Sequence, residues 1–258
     1  MAEAVYLRDP VLGCRDLVRA TTHPGQQQVA RQLFLGAKRK VSVRAGHGWG
    51  KSNLIGILGA YFFISRQPAV LIIASRTAKQ VMSQTWNYLG RAIESSWLQG
   101  RLEHLKTELR VIGREKDWYA RWVSIKNPNN AEGFHSPNLL WVIDEAKSVE
   151  PAVFEAAMGA FSQGNSYFLI VSTCGPARGY FYETHSTRLD QWDAFHFPSW
   201  TSPYVGAEQI AAWKREWGED SPIYQARVAA EFPAESDDVI VPYGWLQRSV
   251  GDEDSEEY

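Results

Sequence analysis

The stretch KRKVSVRAGHGWGKSNLIGILGAYFF, residues 38–63, leaves few folds open to the chain. An apolar strand segment (41–43) runs into glycines at 46, 48 and 50, then Lys51 and Ser52, then a long apolar helix predicted over 52–65. Alternate glycines give backbone freedom where a strand must turn into a helix. Such a loop curls with its N–H groups inward, forming a nest for anionic oxygens, and the following helix adds its positive N-terminal end. Residues 45–52 read as A-x-x-x-x-G-K-S, the phosphate-binding loop pattern with Ala45 in place of its first glycine. The candidate ATP-binding residues are therefore Ala45, Gly46, His47, Gly48, Trp49, Gly50, Lys51 and Ser52, with Asn53 beside them in the helix. Lys51 is expected to reach the β- and γ-phosphates and Ser52 to coordinate Mg²⁺. A glycine-rich turn is the plainer account of G-K-S alone, but the strand before it and the helix after it favour the nucleotide. Trp49 either shields the phosphates or anchors the loop in the core, the second being more economical.

Three near-continuous apolar runs, AVLIIAS (69–75), LLWVIDEA (139–146) and SYFLIVST (166–173), alternate with helical patterns over 24–36, 77–95 and from Pro151 to Phe161. Weaker strands are predicted near ELRVIG and ARWVSIK. Strands of this kind imply a mostly parallel sheet covered by helices on both faces. LLWVIDEA delivers Asp144 and Glu145 to a strand's C-terminal edge, where ligands sit in open α/β sheets. Asp144 is expected in the Mg²⁺ shell, and Glu145 to orient or deprotonate the attacking water. The 69–75 strand is read as the one separating the two motifs, so a strand is expected between them in the sheet. Ser172 and Thr173 close the third run and are placed to sense the γ-phosphate and pass on its loss.

The net charge of −2 hides an asymmetry: residues 1–130 carry 20 Lys and Arg against 8 Asp and Glu, and residues 131–258 carry 7 against 21. A basic half suits phosphate backbones and an acidic half a neighbouring subunit, although two solvated faces of opposite sign explain it equally. Cys14 and Cys174 suit reduced thiols. The 6 histidines show no paired zinc-ligand spacing, and no G-x-S-x-G elbow appears. No apolar run reaches the ~18 residues of a membrane span, and no signal peptide is seen.

Taken in order and spacing, these elements resemble the ATPase domain of the large terminase subunit, the DNA-packaging motor of tailed bacteriophages. Gln26, with Gln27 an equal rival by spacing, sits where that family places an adenine-contacting glutamine. Arg44 occupies the basic position at the start of the family's variant loop and is expected to approach the phosphates in a catalytic role with Lys51 and Glu145. ASRTAKQV, STCG, GYFYETHS and AAEFP are similar to further family stretches. One departure concerns the arginine many terminases carry shortly before the acid pair: residues 127–143 contain none, and Arg121 is the nearest upstream. Glu132 and His135 stand there instead, in a segment that reads either as contacting a neighbour or DNA or as a polar surface loop.

The resemblance implies an ASCE-type P-loop NTPase core over 1–197, a small C-terminal helical lid or linker over 198–242, and an acidic, flexible tail over 243–258. It also implies ATP and Mg²⁺ as cofactors, and double-stranded DNA, the portal protein and the small terminase subunit as partners. The expected assembly is a homo-oligomeric ring, five-fold by family analogy, in the host bacterial cytoplasm at the procapsid's portal vertex, with the isolated chain a monomer. Candidate DNA-gripping residues are Lys79, Arg101, Lys106, Arg114 and Lys116, each also readable as an ordinary solvated cation. No strand-helix framework surrounds the acids after Glu231, so no nuclease activity is expected of this chain. Two other readings stay open: another DNA-stimulated P-loop ATPase of helicase type, and a subunit that binds nucleotide without turning it over.

Overall fold

A computed structural model of the chain describes residues 2–75, 85–125, 128–162 and 165–234. Lys79, most of ASRTAKQV, the far boundary of the expected lid and the acidic tail lie outside the described residues. Eight strands, β1 (Lys40–Ala45), β2 (Val70–Ser75), β3 (Leu102–His104), β4 (Glu108–Val111), β5 (Tyr119–Ser124), β6 (Asn138–Asp144), β7 (Asn165–Ser172) and β8 (Asp193–Phe197), form one sheet in the order β3-β4-β5-β2-β6-β7-β1-β8. Pairing is antiparallel between β3, β4 and β5 at one edge and parallel elsewhere.

The strands are apolar nearly throughout because both faces are covered. Alternate residues point to opposite faces. Val41, Val43, Leu71, Ile73, Leu140, Val142, Leu169 and Val171 share a core with the helices Pro24–Leu35 and Lys51–Ser65. Val70, Ile72, Trp141, Ile143, Phe168 and Ile170 join Phe154, Tyr180 and Trp192 on the other side. The Lys51–Ser65 helix has no polar stripe, since every residue from Leu54 to Ser65 is buried between the sheet and its helical neighbours. Gly56 permits this packing: a Cβ there would stand 2.5 Å from a ring carbon of Tyr88 on the Thr85–Glu94 helix.

One expectation needs correcting. A strand does separate the glycine loop from the acid pair, but it is β7, not the 69–75 strand; β2 lies beyond β6. Sequence order misleads here because a parallel sheet is filled by crossovers, so consecutive strands need not be neighbours. Two helices and a strand are among the elements that went unanticipated. The helices Ala2–Arg8 and Pro10–Asp16 cover the Lys51–Ser65 helix, with Tyr61 Oη donating to the Tyr6 carbonyl at 2.8 Å. β8 extends the sheet beyond β1, and its alternation of Phe195 and Phe197 with Ala194 and His196 was a legible, if short, strand signal. Among the described residues, no helix is long and apolar enough to cross a membrane.

Beneath the loop strand, Ser42 Oγ lies 2.7 Å from Thr184 Oγ1 and 2.8 Å from His185 Nε2. Burial, and then the charges of Arg44 and His196, push the His185 imidazole down to about 3 from its ordinary 6.5. The folded chain thus holds this ring neutral, while the unfolded chain takes up a proton below 6.5. The stability this provides is complete above 6.5 and is lost as pH falls toward 3. Between pH 7 and 5 the loss should reach at most about 2 kcal/mol. Urea midpoints at the two pH values check it, and His185→Asn should flatten the difference.

Candidate functional site

The loop from Ala45 to Ser52 leaves the C-terminal end of β1 and enters the Lys51–Ser65 helix directly. Gly48 (φ 72°) and Gly50 (φ 98°) adopt left-handed backbone, which explains why these positions lack a Cβ. Lys51 Nζ donates to the carbonyls of Ala45 at 3.1 Å and Gly46 at 2.8 Å, folding back along the loop. Burial lowers the ammonium to about 8, with the Glu145 and Asp144 carboxylates opposing that shift.

Trp49 is fully buried, stacked on Phe197 at 4.6 Å between ring centroids and met edge-on by His23 at 4.8 Å. It anchors the loop in the core. The structure separates the two glutamines that spacing left equal. Gln26, fully buried, donates from Nε2 to the Gly50 carbonyl at 3.3 Å and to Asn53 Oδ1 at 3.2 Å, while its Oε1 accepts the His23 N–H at 3.3 Å. Gln27 turns away, its Nε2 donating to the Thr22 carbonyl at 2.9 Å. Gln26 is therefore a brace for the loop and the start of its helix.

Strand register brings the acids to the loop. Val171 on β7 pairs with Val43 on one side and with Asp144 on the other, and Arg44 pairs with Ser172. Asp144 is 7 % exposed, has no cation within ion-pair distance among the described residues, and accepts only the Glu145 N–H, at 3.0 Å. Burial, followed by the neighbouring Glu145 carboxylate, pushes its carboxyl up to about 6. Glu145 is half-buried with a left-handed backbone (φ 56°, ψ 43°), a conformation that costs about 1–3 kcal/mol for a non-glycine residue. That turn redirects the chain off the strand and leaves the Glu145 side chain beside Asp144 and Lys51.

Arg44 does not extend freely toward the loop mouth. Its Nη1 donates to Glu231 Oε2 at 2.5 Å and its guanidinium lies over the Phe232 ring at 5.3 Å. Ser172 Oγ and Thr173 Oγ1 are likewise engaged, accepting from Lys147 N at 3.3 Å and Lys147 Nζ at 2.8 Å. From the other side, a segment after β8 clamps the loop. His47 N–H donates to the Arg227 carbonyl at 2.6 Å, Ser199 Oγ to the His47 carbonyl at 2.8 Å, and Ser202 Oγ to the Gly48 carbonyl at 2.9 Å. Burial, then the charges of Lys51, Arg227 and Lys147, push the His47 ring down to about 4. Sequence reasoning missed Lys147, Ser199, Ser202 and Glu231 in these roles. Only the AAEFP resemblance and the cation three residues after Asp144 signalled any of them.

Of the basic residues considered for DNA, Arg114 is paired with Asp117 at 2.6 Å, whereas Arg101, Lys106 and Lys116 have no carboxylate partner among the described residues. They lie around the β3–β4 edge, the end of the sheet farthest from β1. Arg121 is held within its own subunit by Glu108, Nε to Oε2 at 3.1 Å. Glu132 and His135 are exposed.

Comparison with known proteins shows what the chain is similar to. A probable terminase large subunit of Enterobacteria phage P7 is 27% identical over 225 residues, covering 81% of this chain and 45% of that protein. The chain is similar to the phage large terminases. Its fold matches theirs at the ATPase domain: the large terminase ATPase domain of Thermus phage P74-26 superposes with a TM-score of 0.68 at 17% identity, covering 84% of this chain and 96% of that one. The large terminase of a thermophilic bacteriophage, solved in complex with ATP-gamma-S, gives 0.64 at 12% identity over 82% of this chain and 53% of that one. Thus the chain spans less than half the length of the curated large terminase it matches, and its fold is similar to that of terminase ATPase domains. No family model matches the sequence.

Proposed function

We propose that this chain hydrolyses ATP to drive double-stranded viral DNA into a procapsid, acting as the motor domain of a terminase large subunit. The observation that carries the reading is the register through β7, which sets the acid pair level with the phosphate loop in a fold shared with terminase ATPase domains.

The loop amides around Gly48 and Gly50 and the N-terminus of the Lys51–Ser65 helix bind the phosphate tail. Lys51 leaves its own loop carbonyls for the β- and γ-phosphates. Gln26 and Trp49 hold the loop in shape, and an adenine contact falls to Gln26 or Gln27 in the family's manner. The donors present fit Mg²⁺. Asp144 is a buried carboxylate without a cationic partner among the described residues, raised by burial and then by the neighbouring Glu145 carboxylate, and Ser52 offers a hydroxyl at the helix start. Asp144 and Ser52 would hold the ion, which when bound neutralises charge developing on the phosphates. Glu145 orients the attacking water and takes its proton. Ser172 and Thr173 register the terminal phosphate, and Arg44 completes its charge balance on leaving Glu231.

DNA contacts go to phosphates, as sequence-blind transport requires. The partner set is that of a packaging motor: duplex DNA, portal protein, small terminase subunit, and further copies in a ring at the portal vertex in the host cytoplasm. Residues 198–242 act as a lid, a reading supported by Ser199, Ser202 and Arg227, which already hold the loop through His47 and Gly48.

ATPase rate against protein concentration, with and without duplex DNA, tests the reading. A specific rate that climbs with concentration and further with DNA is expected, since neighbours complete each site. A rate unmoved by either removes the motor reading. Binding of ATP with no turnover under any of these conditions favours the nucleotide-binding structural subunit.

A further inference from the structure

Lys147 is a cation that the proposed chemistry leaves without a task. It follows the acid pair in the short 3-10 turn Ala146–Ser148, capped by the left-handed Glu145 and pinned by Ala146, which is buried. Its backbone N–H donates to Ser172 Oγ, and its ammonium donates to Thr173 Oγ1 at 2.8 Å and the Cys174 carbonyl at 3.4 Å. Its stem runs along Gly175, where a Cβ would come 3.3 Å from Lys147 Cδ. One residue thus touches four consecutive positions, Ser172 to Gly175, from a turn that starts at Glu145.

No carboxylate lies within ion-pair distance of this ammonium among the described residues. Its charge is nevertheless felt at Lys51 and at His47, so it lies near the glycine loop. A surface lysine needs no such arrangement. A cation near the glycine loop, carried by the turn after the acid pair and bonded to the end of β7, is placed to move both together.

We infer that Lys147 is a positioning residue joining Glu145 to the Ser172–Gly175 segment, so that turnover depends on its charge acting through Thr173. The inference rests on the ATPase reading above. When a terminal phosphate is present, the ammonium is drawn toward it and holds the Thr173 hydroxyl and the Glu145 turn in one arrangement. When the phosphate leaves, that attraction ends and the segment after β7 is released.

The test uses Lys147→Met, Lys147→Arg, Thr173→Val and the Lys147→Met/Thr173→Val double variant. Each is assayed for turnover, for displacement of a fluorescent nucleotide by ATP-gamma-S, and for Tm. Lys147→Met should lower kcat about tenfold and leave nucleotide affinity within about twofold. Lys147→Arg should restore most of the rate, because it keeps the charge and a donor. The double variant should be no slower than the slower single one, the signature of two residues acting as a unit. The inference is overturned by turnover of Lys147→Met close to wild type, by effects that multiply, by an affinity that falls in step with kcat, or by Lys147→Arg as slow as Lys147→Met. Should Lys147→Met fail to fold, Lys147→Arg and Thr173→Val decide: a slow Lys147→Arg, or a wild-type rate for Thr173→Val, overturns the inference. A wild-type chain that binds nucleotide without turnover refutes the ATPase reading instead, so the two failures are distinct.

Discussion

Glu145→Gln is expected to bind ATP at least as tightly as the wild-type chain and to hydrolyse it about 10²–10⁴-fold more slowly. The amide has the shape of the carboxylate and still contacts water, but it cannot accept the proton. The left-handed turn at Glu145 is set by the backbone and by Ala146 packing into the core, so the loop geometry should survive the substitution. Binding should hold or improve because Glu145 is one of the charges that raise Asp144; without it, Asp144 ionises more readily and holds a cation better. Single-turnover hydrolysis alongside nucleotide displacement measures both quantities. Hydrolysis within about threefold of wild type would place the base elsewhere and remove Glu145 from the mechanism.

Lys51→Met should weaken nucleotide binding by about 2–5 kcal/mol, or from ~30-fold to several thousandfold, because it strips a buried cation from the phosphate tail. The same substitution should hardly change folding stability. In the nucleotide-free chain the ammonium is buried against two loop carbonyls, at a desolvation cost large enough to lower it to about 8. Removing it relieves that cost while leaving the two carbonyls short of a donor, and the two effects oppose one another. Tm within a few degrees of wild type with nucleotide binding lost is the expected pair of results. Unaltered affinity would mean that the loop binds something other than a phosphate tail, and the whole functional reading would fall with it.

These effects stem from residues whose types and spacing are local, and the local pattern was legible. The strand–loop–helix unit around Gly46 to Ser52 and the strand ending in Asp144 and Glu145 were found where the apolar runs put them. Trp49 proved the anchor that economy suggested, because an indole inside a tight loop has more to gain from burial on Phe197 than from solvent. Short or edge elements were weakly legible or not legible at all. The helix Pro10–Asp16 is seven residues long and draws its stability from packing on Tyr61, not from its own periodicity. β8 carries only five residues of alternation.

By itself, the sequence determined that this chain has a glycine loop between a strand and a helix, an acid pair at the end of a buried strand, and a sheet buried on both faces. Each follows from the order of neighbouring residues, because glycine backbone freedom and apolar periodicity act over a few positions. Only the tertiary structure decided that β7 stands between loop and acids, that Gln26 braces the loop while Gln27 turns away, that Arg44 is held by Glu231, and that Lys147 grips Ser172 and Thr173. Those facts join residues up to 187 positions apart. A hydrogen bond or an ion pair records nothing of itself in the spacing of its partners, so only the folded chain can reveal which groups meet.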